Sequence, residues 1–246
     1  VREILVKDAT EVEQGDVVIR LETVQAQATL DTLRKQLDLA LIQDARLTAE
    51  RDDRTELALP AELDERRAIA ETATAIADQR VLLREKLAAK ASELAIYDSR
   101  LAQSEEAIRG RRARLVADEG LMKSLSAELS QLMPLYEKKF VTLPRIRGVE
   151  RERDKVKSEI EVGRSDIAKL ERSIEETKLL LEQSRQRQRD GVLQQMAETR
   201  ARISDLRERI AVARDTLART EVRAPRKGIL QELKVHAVGA VIRPGE

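Results

Sequence analysis

Two short segments at opposite ends of the chain resemble each other across everything that lies between them. The first reads Glu3-Ile4-Leu5-Val6-Lys7-Asp8, then Thr10-Glu11-Val12-Glu13-Gln14-Gly15-Asp16. The second reads Glu232-Leu233-Lys234-Val235-His236-Ala237, then Gly239-Ala240-Val241-Ile242-Arg243-Pro244-Gly245-Glu246. Each has a Glu, a Val three residues on, a Val after a turn and a closing Gly-acid pair, and the second is one residue longer. Alternating apolar residues around a turn predict strand–turn–strand. A lone unit of this kind cannot bury its apolar face. Two such units can pair into one small sandwich, provided the intervening chain leaves and returns. The middle of the chain is therefore expected to be a hairpin.

Composition says what that middle is made of. Among 246 residues, 37% are charged and 1% aromatic: one Phe, two Tyr and no Trp. Aromatics supply much of the burial in ordinary cores, so an ordinary compact globule is excluded. Charge with Ala, Leu, Glu, Arg and Gln at helical spacing marks long helices and coiled coils. A net charge of +1 argues against a dedicated nucleic-acid binder, and no nucleic-acid partner is expected. No apolar run is long enough to span a membrane. There is no Cys, which excludes disulfides and thiolate metal sites.

The fold class expected is mainly α, a long antiparallel coiled-coil hairpin of three helices inserted between the two halves of a small β-sandwich. The halves are 1–23 and 221–246, and the helical region 24–220 holds helices at about 24–51, 62–138 and 145–219, with a tip at 139–144. Thr23 is the N-cap candidate for the first helix. Leu59-Pro60-Ala61 interrupts the pattern because proline lacks a backbone donor and restrains its predecessor. Phe140-Val141-Thr142-Leu143-Pro144 is the second break, and Pro144 suits the first turn of a new helix.

Heptads support the pairing. Leu87, Leu94, Leu101, Ile108, Leu115, Met122 and Leu129 share one seven-residue ladder. Ile69, Ile76, Leu83, Tyr97, Leu125 and Leu132 share its companion, which turns polar at Ser104, Arg111 and Asp118. In the third helix Ile160, Ile167, Ile174 and Leu181 form a ladder that lapses over Gln183–Gly191 and resumes one residue out of step at Met196, Ile203, Ile210 and Leu217. Such patterning predicts a left-handed coiled coil that relaxes at the slip. The second and third helices are expected to match in length, roughly 115 Å each at about 1.5 Å per residue. The two polar stretches are expected at facing heights, exposed or water-lined. The first helix is expected beside the base, with the 52–61 loop running back; a first and second helix stacked against a broken third is the alternative.

Several residues now carry a family resemblance. They are Glu3–Asp8 and Gly15–Leu21 at the start, and at the end Arg223-Ala224-Pro225-Arg226-Lys227-Gly228 with Val235–Glu246. With the interposed hairpin, these resemble the HlyD-like periplasmic adaptor (membrane-fusion) proteins of bacterial type I secretion systems. The resemblance implies that the sandwich is lipoyl-like. It implies as partners an inner-membrane ABC transporter, an outer-membrane TolC-type channel and a secreted polypeptide in transit. It also implies a homo-oligomer, a hexamer, located in the periplasm and anchored in the inner membrane by a segment absent from this chain. Adaptors of this kind carry Arg-x₃-Leu-x₆-Ser/Thr at the tip, where they meet the channel. Leu135 and Thr142 match, while position 131 is Gln131, so either Gln131 supplies a hydrogen bond or Lys138 and Lys139 supply the charge. The channel-contacting residues expected are Gln131, Leu135, Lys138, Lys139, Phe140, Val141 and Thr142. A drug-efflux adaptor shares this fold, and a cytoplasmic coiled-coil scaffold is the rival from another class.

No catalytic site, metal site or cofactor is expected, and the chain does not read as an enzyme. His236 is the sole histidine and reads as a strand residue, since a metal site needs partners. A lipoyl carrier needs an exposed Lys at a hairpin tip; Lys227 is the nearest candidate, and no lipoylation is expected there. The charge runs read as solvated helix faces.

Overall fold

The computed structural model describes residues 1–231, 233 and 237–240. His236, most of the second end's apolar stretch and its closing Gly-acid pair lie outside them. The chain divides into two compact units, Val1–Leu87 with Gly191–Glu246, and Ala88–Asp190.

In the first unit the two ends build one β-module. Its strands are β1 (Glu3–Ile4), β2 (Glu11–Val12), β3 (Val17–Arg20), β4 (Glu221–Arg223) and β5 (Gly228–Ile229). One sheet has the order β1-β3-β4 and the other pairs β2 with β5, so each contains strands from both ends. All three pairings are antiparallel. A bulge in β3 sets Val17 opposite Arg223 and Ile19 opposite Val222. The extra residue breaks the period-two alternation, and Val18 and Ile19 are both buried as a result. They form a core with Val12 and Ala224, flanked by Val1, Val6, Leu21, Leu230 and Leu233.

The likeness of the two ends has a structural counterpart. The Ala9 N–H donates to the Leu230 carbonyl at 2.9 Å, and the Leu230 N–H donates to the Thr10 carbonyl at 3.0 Å. The Gly239 N–H donates to the Val1 carbonyl at 2.9 Å, and the Val1 amino group to the Ala240 carbonyl at 2.8 Å. Each end thus presents a turn that grips a residue of the other. Both turns need a left-handed residue, Ala9 at φ +62 and Gly239 at φ +89. This equivalence sets Ala9 against Gly239.

Beyond the module, α1 (Val24–Arg51), the lower part of α2 (Ala70–Glu137) and the upper residues of α3 (Leu143–Ala218) share a core. Thr23 is the N-cap of α1 but makes no side-chain cap; its carbonyl accepts from the Gln27 N–H at 2.8 Å. Lys35 pairs with Glu71 at 2.7 Å and Arg46 Nε donates to Gln79 Oε1 at 2.7 Å, so α1 and α2 run in the same direction. Arg200 pairs with Asp44 at 3.0 Å, while the Leu21 N–H donates to the Thr220 carbonyl; α3 runs the other way. The chain therefore folds back after α1, the first of the two arrangements open to the sequence.

The return path corrects one expectation. The helix expected from position 62 begins at Ala70, and Ala61–Arg66 is a 3₁₀ helix that follows Pro60. Its Leu63 is fully buried among Leu30, Leu33, Leu37, Ile203 and Leu206. Arg66 grips Asp38 with Nε at 2.8 Å and Nη2 at 2.8 Å. That carboxylate raises the pKa of the guanidinium above its ordinary value, chiefly through the hydrogen bond. Packing and a bidentate ion pair thus hold a helix-favouring segment off the α-helical path. As a result α2 has 68 residues and α3 has 76, so the expected equality of length fails. The remaining end differences, Glu137 for 138, Leu143 for 145 and Ala218 for 219, fall within ordinary fraying.

In the second unit α2 and α3 pair antiparallel. Ion pairs Arg112–Glu171 at 2.9 Å, Glu119–Arg164 at 2.9 Å and Glu128–Arg145 at 2.6 Å step in opposite directions along the two helices. Ile108, Leu129, Ile146, Val149, Val156, Ile160, Ile167 and Leu181 are buried along the seam. The polar stretches do not face each other. Around Ser104–Asp118 the opposing residues include Glu159, Asp166 and Glu171, and Asp118 is buried with Arg114 at 3.0 Å. Ser184 and Gln188 instead face Glu93, which accepts from the Ser184 hydroxyl and from Gln188 Nε2 at 2.6 Å. The Gln188 Oε1 is buried without a partner. Inward-facing residues continue through this region at Leu181, Ser184, Gln188, Val192 and Met196. The ladder therefore carries polar residues through its slip, because successive steps of four keep the same face inward.

Candidate functional site

The tip is built by two helix ends and a tight loop. Pro134 lies inside α2 and has no N–H for the Ser130 carbonyl, so one intrahelical bond is lost before the helix ends. The last turn closes through two bonds. The Lys139 N–H donates to the Tyr136 carbonyl at 2.8 Å, and the Phe140 N–H reaches back to the Leu135 carbonyl at 2.9 Å. This is a Schellman end, whose left-handed position is usually glycine. Here Lys139 occupies it at φ +64, at a cost of about 1–2 kcal/mol. The chain then enters α3, where the Thr142 carbonyl accepts from the Arg145 N–H at 3.1 Å.

Beneath the loop sits a small apolar cluster of Leu129, Ile146 and Val149, with Leu125, Leu132 and Val141 packed against it. Val141 is half-buried and its side chain closes this cluster. The other expected contact residues face solvent: Gln131, Leu135, Lys138, Lys139, Phe140 and Thr142. Gln131 and Leu135, at i, i+4 spacing, share one face of α2, and Lys138 follows three residues on in the turn just past the helix end. Phe140 is 78% exposed, although a residue at its position in a Schellman end often packs back on the preceding turn. Leu143, which the sequence also placed in the apolar cluster of the tip, is exposed, as are Tyr136 and Met133, which were not among the expected residues. The signal for Tyr136 was available: two of the chain's three aromatic residues lie in the five-residue stretch 136–140.

The β-module offers a different chemistry. Lys227 Nζ lies 3.3 Å from Glu13 and 3.8 Å from Glu11, in an exposed ion-pair cluster. No group of acidic or histidine side chains among the described residues is arranged to hold a metal ion. Among them no helix is long and apolar enough to cross a membrane.

Residues 26–216 match the AprE family, described as a long alpha-helical hairpin. The chain belongs to that family. It is 32% identical over 246 residues to the alkaline protease secretion protein AprE of Pseudomonas aeruginosa, matching 100% of this chain and 57% of that protein. It is 29% identical over 250 residues to the type I secretion system membrane fusion protein PrsE of Rhizobium meliloti, matching 100% of this chain and 56% of that one. The chain therefore spans little more than half the length of these relatives. Among solved structures it resembles the soluble domain of LipC, a membrane fusion protein of a type I secretion system, with TM-score 0.90 and 26% identity over 93% of this chain and 86% of that one. The periplasmic adaptor EmrA shares the fold at TM-score 0.56 and 16% identity, over 100% of this chain and 66% of that one. At the tip, apolar side chains remain in solvent after the small core beneath them is closed.

Proposed function

We propose that this chain is the hairpin and lipoyl-like part of a periplasmic adaptor for type I protein secretion. It links an inner-membrane ABC transporter to an outer-membrane TolC-type channel while a secreted polypeptide is in transit. The observation that carries this reading is the β-module shared by both ends in a chain of the AprE family. Drawing the ends together means that the chain between them leaves the module and returns to it, as an adaptor hairpin requires. The role is mechanical, not enzymatic. The protein works as a homo-oligomer, a hexamer, held to the inner membrane by a segment outside this chain.

The tip residues Gln131, Leu135, Lys138, Lys139, Phe140 and Thr142 face the channel, while Val141 supports them from beneath. The measurement is export of the secreted protein from intact cells carrying the full-length adaptor. Leu135→Asp or Thr142→Asp is expected to abolish export while leaving the adaptor's abundance unchanged. Wild-type export in both variants refutes the contact role. The likeness to EmrA keeps an efflux adaptor as a second reading; drug resistance lost without loss of protein export on deleting the gene decides for it.

A further inference from the structure

Four arginines from three elements of the first unit meet in one cleft. Arg34 of α1, Arg66 at the end of the 3₁₀ helix, and Arg207 and Arg214 of α3 line a space of about 380 Å³. Two carboxylates share the lining, and both are engaged. Asp38 accepts from Arg66 Nε and Nη2 at 2.8 Å each, and Glu62 accepts from Arg207 Nη2 at 2.8 Å. These bonds use three N–H groups, whereas each guanidinium carries five. Neither Arg34 nor Arg214 is spent on these two carboxylates. Asp31, outside the lining, stays 3.6 Å from Arg34 Nη1, beyond hydrogen-bond length. The buried Leu37 and Ile210 give the cleft an apolar floor. Like charges over such a floor repel more strongly than in water, so four cations against two anions leave the cleft short of negative charge.

We propose that this cleft binds a phosphate group, and that its occupancy clamps the return segment to both neighbouring helices. The guanidiniums come from α1, the 3₁₀ helix and α3, so they meet a bound group from several sides. A tetrahedral phosphate turns oxygens towards each of them, whereas a carboxylate has two oxygens in one plane. Guanidinium forks match phosphate in charge and in the spacing of their N–H groups. Arg34 is half-buried and Arg207 and Arg214 are exposed, so a ligand can enter from solvent. The space exceeds a free phosphate and leaves room for a phosphate ester such as a lipid headgroup. Arg66 closes the 3₁₀ helix, so a group held by Arg66, Arg34 and Arg214 together ties that helix to α1 and α3. The site does not depend on the adaptor reading, and either can fail without the other.

The test uses the purified full-length protein at fixed pH and ionic strength. Sodium phosphate, sodium glutamate and glycerophosphoglycerol, the soluble headgroup of phosphatidylglycerol, are each titrated by calorimetry. Arg34→Gln and Arg214→Gln are each expected to weaken phosphate binding by about tenfold or more, and Arg214→Lys by less. Both Gln variants leave the Asp38–Arg66 and Glu62–Arg207 pairs intact, so the segment stays in place. Arg109→Gln on the shaft is the control and should change nothing. Hydrogen exchange reads the clamp. At a phosphate concentration of about ten times Kd, the amides of Leu63 and Ile69 should exchange about tenfold more slowly, because only the closed segment presents Arg66. The Phe140 amide at the tip should be unaffected.

Glycerophosphoglycerol binding tighter than phosphate, and lost in Arg214→Gln, supports the site with a lipid headgroup as the source. Phosphate binding at least as tightly as the headgroup, and lost in the same variant, supports it with a free anion. Absence of binding by both phosphate ligands overturns the site, as does equal binding in wild type, Arg34→Gln and Arg214→Gln. Glutamate binding more tightly than phosphate overturns it in favour of a carboxylate ligand. Phosphate binding that leaves exchange at Leu63 and Ile69 unchanged overturns the clamp.

Discussion

Replacing Leu63 by Ala isolates what holds the return segment in place. Leu63 is the one buried residue of the 3₁₀ helix, at 0% exposure, and it fills the gap between α1 and α3. Removing a fully buried Leu side chain costs 2–5 kcal/mol, from lost transfer energy and the residual cavity. The upper part of that range requires a rigid surround. Here the segment is short and flanked by the exposed residues Arg54, Thr55 and Glu56, so partial collapse brings the expected cost to about 3 kcal/mol. That is about a hundredfold increase in the open fraction of this segment, at 1.4 kcal/mol per tenfold. Hydrogen exchange at the amides of Leu63 and Ile69, which donate to Pro60 and Arg66, reads the opening directly. Trypsin cleavage near Arg51–Arg54 should rise in parallel. Leu39→Ala, at 53% exposure on the same α1, is the control and should stay within about 0.5 kcal/mol. A loss below about 1 kcal/mol at Leu63, with exchange unchanged, would show that the 3₁₀ segment is held by something other than this core contact.

Arg66→Ala leaves the buried Asp38 carboxylate without its guanidinium; because Arg66 is one-third exposed, the loss is expected nearer 2 than 5 kcal/mol, and a double-mutant cycle with Asp38→Asn by denaturant titration should recover most of it as coupling. Gly163→Ala should stabilise the second unit by about 1 kcal/mol through helix propensity, since the added methyl would lie 3.7 Å from Leu115 Cδ1, an ordinary contact; a lower melting temperature would refute this. Lys139→Gly should raise the stability of the hairpin by about 1 kcal/mol by relieving the left-handed lysine, while binding to the channel weakens; unchanged binding would mean that the lysine side chain is not used. Replacing Glu93, Ser184 and Gln188 together with Leu should raise the denaturation midpoint but permit alternative registers, read by disulfide trapping across the seam, because a polar layer specifies register at the expense of stability.

Periodicity and punctuation in the chain determined much of the fold. Heptads mark which faces of α2 and α3 turn inward, because burial follows the helical repeat whatever lies opposite. The sites of the two breaks were legible for the same local reason: proline cannot donate a backbone hydrogen bond. The paired ends predicted one β-module, since neither half has enough strand to stand alone. Tertiary structure decided the rest. A segment with helix-forming residues became a 3₁₀ turn because the buried Leu63 and the Asp38–Arg66 pair outweigh a weak local preference. The height at which each polar residue meets its partner follows from the antiparallel register counted from the turn, which sets Ser104–Asp118 near Glu159–Glu171 and Ser184 near Glu93, so the two stretches fall at different levels. At the tip, only packing in three dimensions sets Val141 against the small apolar cluster and leaves Phe140 in solvent, because inward or outward direction in a loop does not follow from spacing along the chain.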